Sequence, residues 1–204
     1  MYRTRRSGSF YLINWFNLLN KTVNELNQKE PSDILTVMDK QLEELLSKSS
    51  IVVKDGMDMS LCRFEFLKTK TKLSFSGAHN SVWIIRKKDK KAIGNVLLEM
   101  EDAVLYELKA NRQSIGGHTE KAEFSQINAD LEKGDTLYLF SDGYADQFGG
   151  AKGKKFKYGQ LRELILSSSN KLLAEQKNIL DDSIESWRGK HDQVDDVCII
   201  GIRI

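Results

Sequence analysis

Two carboxylate clusters flank apolar runs in this chain. Asp142-Gly143 lies just past Leu137-Tyr138-Leu139-Phe140, and Asp195-Asp196 comes just before Val197-Cys198-Ile199-Ile200. One acid therefore sits where a strand ends and the other where a strand begins. If the two strands are antiparallel neighbours, the acids meet at one rim of a sheet. Gly143 can take the positive-φ turn that exposes an acid at a strand end. If Asp195 and Asp196 are both extended, their side chains face opposite sides, so only one points into a shared site. Paired carboxylates suit hard divalent ions such as magnesium or manganese. With three histidines and two cysteines, the chain is poorly supplied for zinc. The first carboxylate in the chain is Glu25, so nothing ahead of it supplies another acidic ligand.

The elements that must position these acids read as follows. Leu18, Leu19, Val23 and Leu26 recur at helical spacing. Glu30-Pro31-Ser32-Asp33 ends that helix and opens a second one, striped with Ile34, Leu35, Met38, Leu42, Leu45 and Leu46. After Ser50 the pattern turns to strands: Met57 to Leu67, Lys72 to His79, Val82 to Arg86, Ala103 to Leu108 and Thr136 to Phe140. Gly116-Gly117 marks a turn, and Lys87 to Lys91 reads as a solvated charged loop. Helices are predicted over Gly159 to Ser168 and Leu172 to Trp187, with a closing strand from Val197 to Ile204. Strands interleaved with paired helices point to an α+β layered domain. Trp83, Trp187 and the Phe64-Phe66 pair are expected in the core, the last two on one strand face.

Composition limits the function classes. The 204 residues suffice for one domain with a substantial core, and 40% hydrophobic with 29% charged content is ordinary for a globular protein. A net charge of +2 argues against general attraction to nucleic acid or membrane. No apolar stretch approaches a membrane span, which needs about 20 residues. Cys62 and Cys198 lie in strand-like runs and read as buried, reduced thiols of a cytoplasmic protein. Lys152, Lys154, Lys155 and Lys157 form a basic cluster beyond Asp142, read as a solvated loop that could also steer an acidic partner. Arg112 reads as a surface residue.

Several segments, in order, resemble the SpoIIE-like branch of the metal-dependent serine/threonine protein phosphatases, the PPM family. They are Asp55-Gly56-Met57-Asp58-Met59-Ser60-Leu61-Cys62, Phe75-Ser76-Gly77-Ala78-His79-Asn80, Ser114-Ile115-Gly116-Gly117, Gly134-Asp135 with Leu139-Phe140-Ser141-Asp142-Gly143, and Gln193-Val194-Asp195-Asp196-Val197. The resemblance spans residues 18–204 and leaves 1–17 as a non-matching segment. It implies a two-layer antiparallel β-sandwich flanked by helices, with two manganese or magnesium ions at one rim. Those ions would activate a water that attacks phosphoserine or phosphothreonine. It further implies Asp142 and Asp195 as metal ligands and catalytic acids, with Gly143 and Asp196 supporting them. For His79, a ligand or proton-transfer role stands beside that of a turn histidine bonded to backbone. Asp58 reads as structural.

One departure matters. The family's first metal motif, of Asp-x-x-Gly-His-Gly type, belongs just before the helix that starts near Leu18. Here that region reads Arg5-Arg6-Ser7-Gly8-Ser9-Phe10-Tyr11-Leu12-Ile13-Asn14-Trp15-Phe16, without acid or histidine. The expectation is a truncated or frame-changed domain that lacks its first strands, leaves sheet edges unpaired and has an impaired site. The resemblance implies, as partner, a phosphorylated regulatory protein of the anti-sigma-factor antagonist type in bacterial signalling and stress response. It also implies an upstream sensory domain in full-length relatives, and leaves a homodimer open. A catalytically inactive binding module of the same fold, and a hydrolase of other phosphoesters, are the alternatives.

Overall fold

The computed structural model describes residues 15–47, 56–116 and 122–204. Asp55 and Gly117 of the matching segments, and the region 5–14, lie outside the described residues, as do the side chains of Leu45 and Leu46. The chain divides into two compact units. The first comprises Met1–Arg63, Ser74–His79 and Ala110–Asn128; the second comprises Phe64–Leu73, Asn80–Lys109 and Ala129–Ile204.

In the first unit, helix α1 is described from residue 15 and ends in a π-wound turn, Lys21–Glu25. Helix α2, Pro31–Ser47, begins at the proline, whose missing N–H costs nothing in a first turn. Its apolar stripe packs as the spacing predicts: Ile34, Leu35, Met38 and Leu42 are buried with Leu18, Ala78, Ile115 and Phe124. Asp39 is buried on the same helix and accepts the Gly116 N–H at 2.6 Å. Asp58 accepts the Ser114 hydroxyl at 2.6 Å, beside a two-way backbone bridge between Met57 and Ile115. The Asp39 bond ties the turn at Gly116 to α2, and the others tie the residues before it to the entry of β1.

Strands β1 (Met59–Phe66), β2 (Thr71–Ala78) and β6 (Ile127–Leu131) form a sheet in the order β1-β2-β6, each strand divided between the units. The remaining long strands are β3 (Val82–Lys87), β4 (Asn95–Glu99), β5 (Ala103–Leu108), β7 (Thr136–Phe140) and β10 (Ile199–Arg203). They form an antiparallel sheet within the second unit, ordered β10-β7-β3-β5-β4. Its central strand β3 is buried along five of its six residues, which explains the continuous apolar run from Val82 to Ile85. Between β7 and the last helices come the short helix α3 (Gly143–Asp146) and the two-residue strands β8 (Phe148–Gly149) and β9 (Lys154–Lys155). Helices α4 (Lys157–Ser167) and α5 (Leu173–Arg188) follow. Leu161, Ile165 and Leu166 of α4 and Leu180 of α5 bury against Trp83, Ile85, Leu105, Tyr138, Tyr144 and Phe156. At the start of α5 the Glu175 carboxylate accepts the Leu172 N–H at 3.0 Å, satisfying one terminal donor.

Arg86 and Asp135 are 3% and 1% exposed, and they pair inside this unit. Arg86 donates from Nε at 3.1 Å and from Nη2 at 2.5 Å to the Asp135 carboxylate. Its remaining donors reach the carbonyls of Lys91 and Asp130, each at 2.8 Å. Asp135 also accepts the Glu132 N–H at 2.8 Å. The pair fastens the turn that feeds β7, the strand leading to Asp142.

The fold corrects several expectations. Trp83 is core, but Phe66 is 75% exposed and stacks on half-buried Phe64 at 6.2 Å, so that pair shares a face outside the core. Cys62 is partly buried, whereas Cys198 is exposed because its segment precedes β10 instead of lying within it. The loop after Lys87 is largely exposed, as its charge predicts, and carries ion pairs of Lys90 with Glu132 at 3.0 Å and of Lys88 with Glu99. Strands β4 and β6 and the β8–β9 hairpin were not legible as elements.

Candidate active site

The segments that carry the acids of the second unit are brought together by strand pairing. Strands β7 and β10 are antiparallel neighbours with Phe140 opposite Ile199, so the residue after one strand lies beside the residues before the other. The ladder continues one step further, with the Ser141 N–H donating to the Cys198 carbonyl at 3.0 Å. Asp142 follows Ser141 at this rim, and Asp195-Asp196 precedes Cys198 there. All three aspartates are exposed.

Two local expectations are corrected. Gly143 does not take a positive-φ turn; it is the first residue of α3, entered from Asp142 at φ −73°, ψ −17°. Glycine is required there for space. A Cβ on Gly143 would lie 2.4 Å from the Asp196 carbonyl oxygen and 2.9 Å from its carbon, far inside contact distance. The close approach of these two backbones brings Asp142 beside the Asp195-Asp196 pair. Nor do Asp195 and Asp196 alternate as strand residues, because β10 starts at Ile199 and Asp195 occupies a bend. The bend is stabilised by the Asp195 Oδ1, which accepts the next residue's N–H at 2.7 Å, and by the Gln193 amide donating to the Asp195 carbonyl at 2.7 Å.

His79 belongs to the first unit. Its backbone is left-handed, at φ 54°, and its N–H donates to the Asn111 carbonyl at 2.9 Å, which is the turn-residue geometry. Its ring is in an exposed position. In the basic cluster, Lys155 pairs at 2.7 Å with Asp146, one helical turn after Asp142, while Lys152, Lys154 and Lys157 are exposed. Arg112 is exposed as well. Beside β10, Tyr138, Tyr144, Leu180, Ile184, Val197 and Ile199 help line a cavity of about 560 Å³. The Tyr144 hydroxyl donates to the Leu180 carbonyl at 2.8 Å and that of Tyr138 bonds Gln176, so both hydroxyls are committed to structure. Burial pushes both phenols up to about 12.

Among the described residues, no group of three or more His, Cys, Asp or Glu side chains is arranged to hold a metal ion. The rim supplies two or three exposed aspartates. A pair of cations needs in addition a carboxylate between them to offset their mutual repulsion. The described residues alone therefore do not fit a two-ion cluster.

The backbone arrangement is that of PP2C-type phosphatase domains. The SiaA PP2C domain of Pseudomonas aeruginosa superimposes with a TM-score of 0.75 at 23% identity, over 97% of this chain and 69% of that one. The PP2C phosphatase domain of the cell fate determinant SpoIIE from Bacillus subtilis, with a fragment of its regulatory domain, gives 0.60 at 15% identity, over 93% and 48%. The catalytic domain of the serine/threonine protein phosphatase PstP, solved with two manganese ions, gives 0.50 at 12%, over 92% and 78%. No curated protein sequence matches the chain. The chain belongs to the Stage II sporulation protein E (SpoIIE) family, which it matches over residues 16–204. No helix among the described residues is long and apolar enough to cross a membrane.

Sequence reasoning singled out Asp142, Asp195 and Asp196 but gave no role to Ser141 or Gln147, which hold their backbones. The signal for Ser141 was present in Ser141-Asp142-Gly143. Gln147 carries no local signal, because the partners that tie it to the acid segment and to α5, Asp192 and Trp187, lie 45 and 40 residues away.

Proposed function

We propose that this chain is a serine/threonine phosphatase domain, acting on a phosphorylated bacterial regulatory protein of the anti-sigma-factor antagonist type in the cytoplasm. Asp142 and Asp195 are its metal-binding and catalytic acids, and Asp196 supports them. What supports this reading is that β7–β10 pairing and the close approach of the Gly143 and Asp196 backbones bring the Asp142 and Asp195-Asp196 segments to one rim in a SpoIIE-family chain. When bound, manganese or magnesium would supply an activated water. Asp142, just before α3, and Asp195, in the bend before β10, would be the carboxylates that hold the metal.

We further propose that this chain assayed alone is impaired, since it has no acid ahead of Glu25 to bridge two ions. That observation favours a second reading, in which the fold serves partner recognition without catalysis. Phosphate release from a phosphoserine peptide and from an aryl phosphate, with and without manganese, separates the two. Manganese-dependent turnover abolished in Asp142→Asn supports the enzyme and refutes the impaired site. Folded protein without turnover supports the binding module. Turnover of the aryl phosphate alone would point to a different phosphoester as substrate.

A further inference from the structure

We propose that Ser141 and Gln147 are positioning residues that clamp the two ends of the 192–198 segment onto the stretch carrying Asp142. The inference rests on the reading of Asp142 and Asp195 as one site. The segment needs holding: residues 192–198 belong to no helix or strand, and every one of them is exposed. Chain in that condition samples many conformations unless tied at points along its length.

The ties come from one short stretch. The Ser141 hydroxyl donates to the Asp196 carbonyl at 2.8 Å and accepts the Cys198 N–H at 2.9 Å. The Ser141 N–H meanwhile donates to the Cys198 carbonyl at 3.0 Å. A side chain thus extends the β7–β10 ladder one step beyond the point where backbone pairing ends. At the other end, the Gln147 amide donates to the Asp192 carbonyl at 2.9 Å and to the Phe148 carbonyl at 3.0 Å. Gln147 is 1% exposed, and its own carbonyl accepts the Phe156 N–H at 2.9 Å and the Trp187 indole N–H at 3.1 Å. Trp187 is locked in turn by Gly150, whose N–H donates to its carbonyl at 2.7 Å. Gly149 packs so closely that a Cβ there would meet that oxygen at 1.9 Å. Gln147 is therefore a buried anchor tied through both its amide and its carbonyl. Asp195 lies between the two clamps, and Asp142 lies between the two residues that make them, so both acids share one frame.

The experiment uses the full chain with Ser141→Thr, which keeps the oxygen, Ser141→Val, which has the same shape without it, and Gln147→Met. Backbone hydrogen exchange over 192–198 and manganese titration are read in parallel, with exchange in β3 and β5 as the fold control. In Ser141→Val we expect exchange at the Cys198 amide to rise at least tenfold and manganese affinity to fall at least tenfold, with Ser141→Thr restoring both. Gln147→Met should raise exchange across the segment. Unchanged exchange over 192–198 in Ser141→Val overturns the clamp. Faster exchange with manganese affinity unchanged overturns the positioning role. If the parent chain binds no manganese, the reading of Asp142 and Asp195 as one metal site fails, while exchange still decides the clamp.

Discussion

Replacing Asp135 by Asn tests how the turn that leads to Asp142 is fixed. The substitution keeps shape and one acceptor oxygen, but it strips the main counter-charge from Arg86, which is 3% exposed and donates three ways to that carboxylate; only the Glu132 carboxylate, 4.0 Å from Nη1, is left. Two unit charges about 4 Å apart at an effective dielectric near 20 attract by about 4 kcal/mol. Breaking a buried pair from one side costs about 3–5 kcal/mol, because the surviving charge cannot be rehydrated. The Lys91 and Asp130 carbonyls still accept from Arg86, so we expect the lower half of that range. For a chain of this size that corresponds to a drop in Tm of about 6–15 °C. Urea unfolding of Asp135→Asn, Arg86→Met and the double variant gives the coupling directly. The double variant should be more stable than the sum of the single losses requires, by at least about 1.5 kcal/mol. A loss below about 1 kcal/mol in Asp135→Asn, or additive single losses, would refute the reasoning and reduce the pair to surface-like electrostatics.

Three further outcomes follow from the same geometry. Gly143→Ala places a methyl against the Asp196 carbonyl and forces the 195–196 backbone to move by about 1 Å; overpacking of about 1–3 kcal/mol is partly offset by alanine's helix preference. Thermal unfolding and exchange over 192–198 should both change, and an unaltered pair would show the contact to be soft. Cys198, exposed, should react with a thiol reagent at neutral pH well before Cys62, whose thiol burial pushes up to about 12; equal rates would contradict the shielding of the Cys62 thiol. Stability should fall as pH rises through about 9 to 12, since Cys62, Tyr138 and Tyr144 all hold their protons longer folded than unfolded. That contribution is complete below the unfolded values, so a urea midpoint equal at pH 8 and pH 10.5 would argue against it.

The elements legible in the sequence were those whose pattern repeats locally. The α2 stripe and strands β3, β5 and β7 follow from apolar spacing, since each buries most of a face against the core. Strand β4 escaped notice because it is an outer strand with Asn95, Val96 and Glu99 exposed. Strand β6 escaped because Asn128 and Asp130 occupy its exposed positions. The expected burial of Phe66 failed for a related reason: apolar character marks a strand but does not say whether anything covers its face.

From the sequence alone came the family, the α+β class and the candidate acids, because an Asp-Gly after one apolar run and an Asp-Asp before another are local facts. Local, too, is the lack of any acid before Glu25. Whether the segments carrying Asp142 and Asp195 come to one rim was a matter for the tertiary structure, since strand order depends on which β-strands share a core and not on their spacing in the chain. The fold also decided why residue 143 is glycine: the requirement comes from a backbone 53 residues away, and no local pattern encodes that distance.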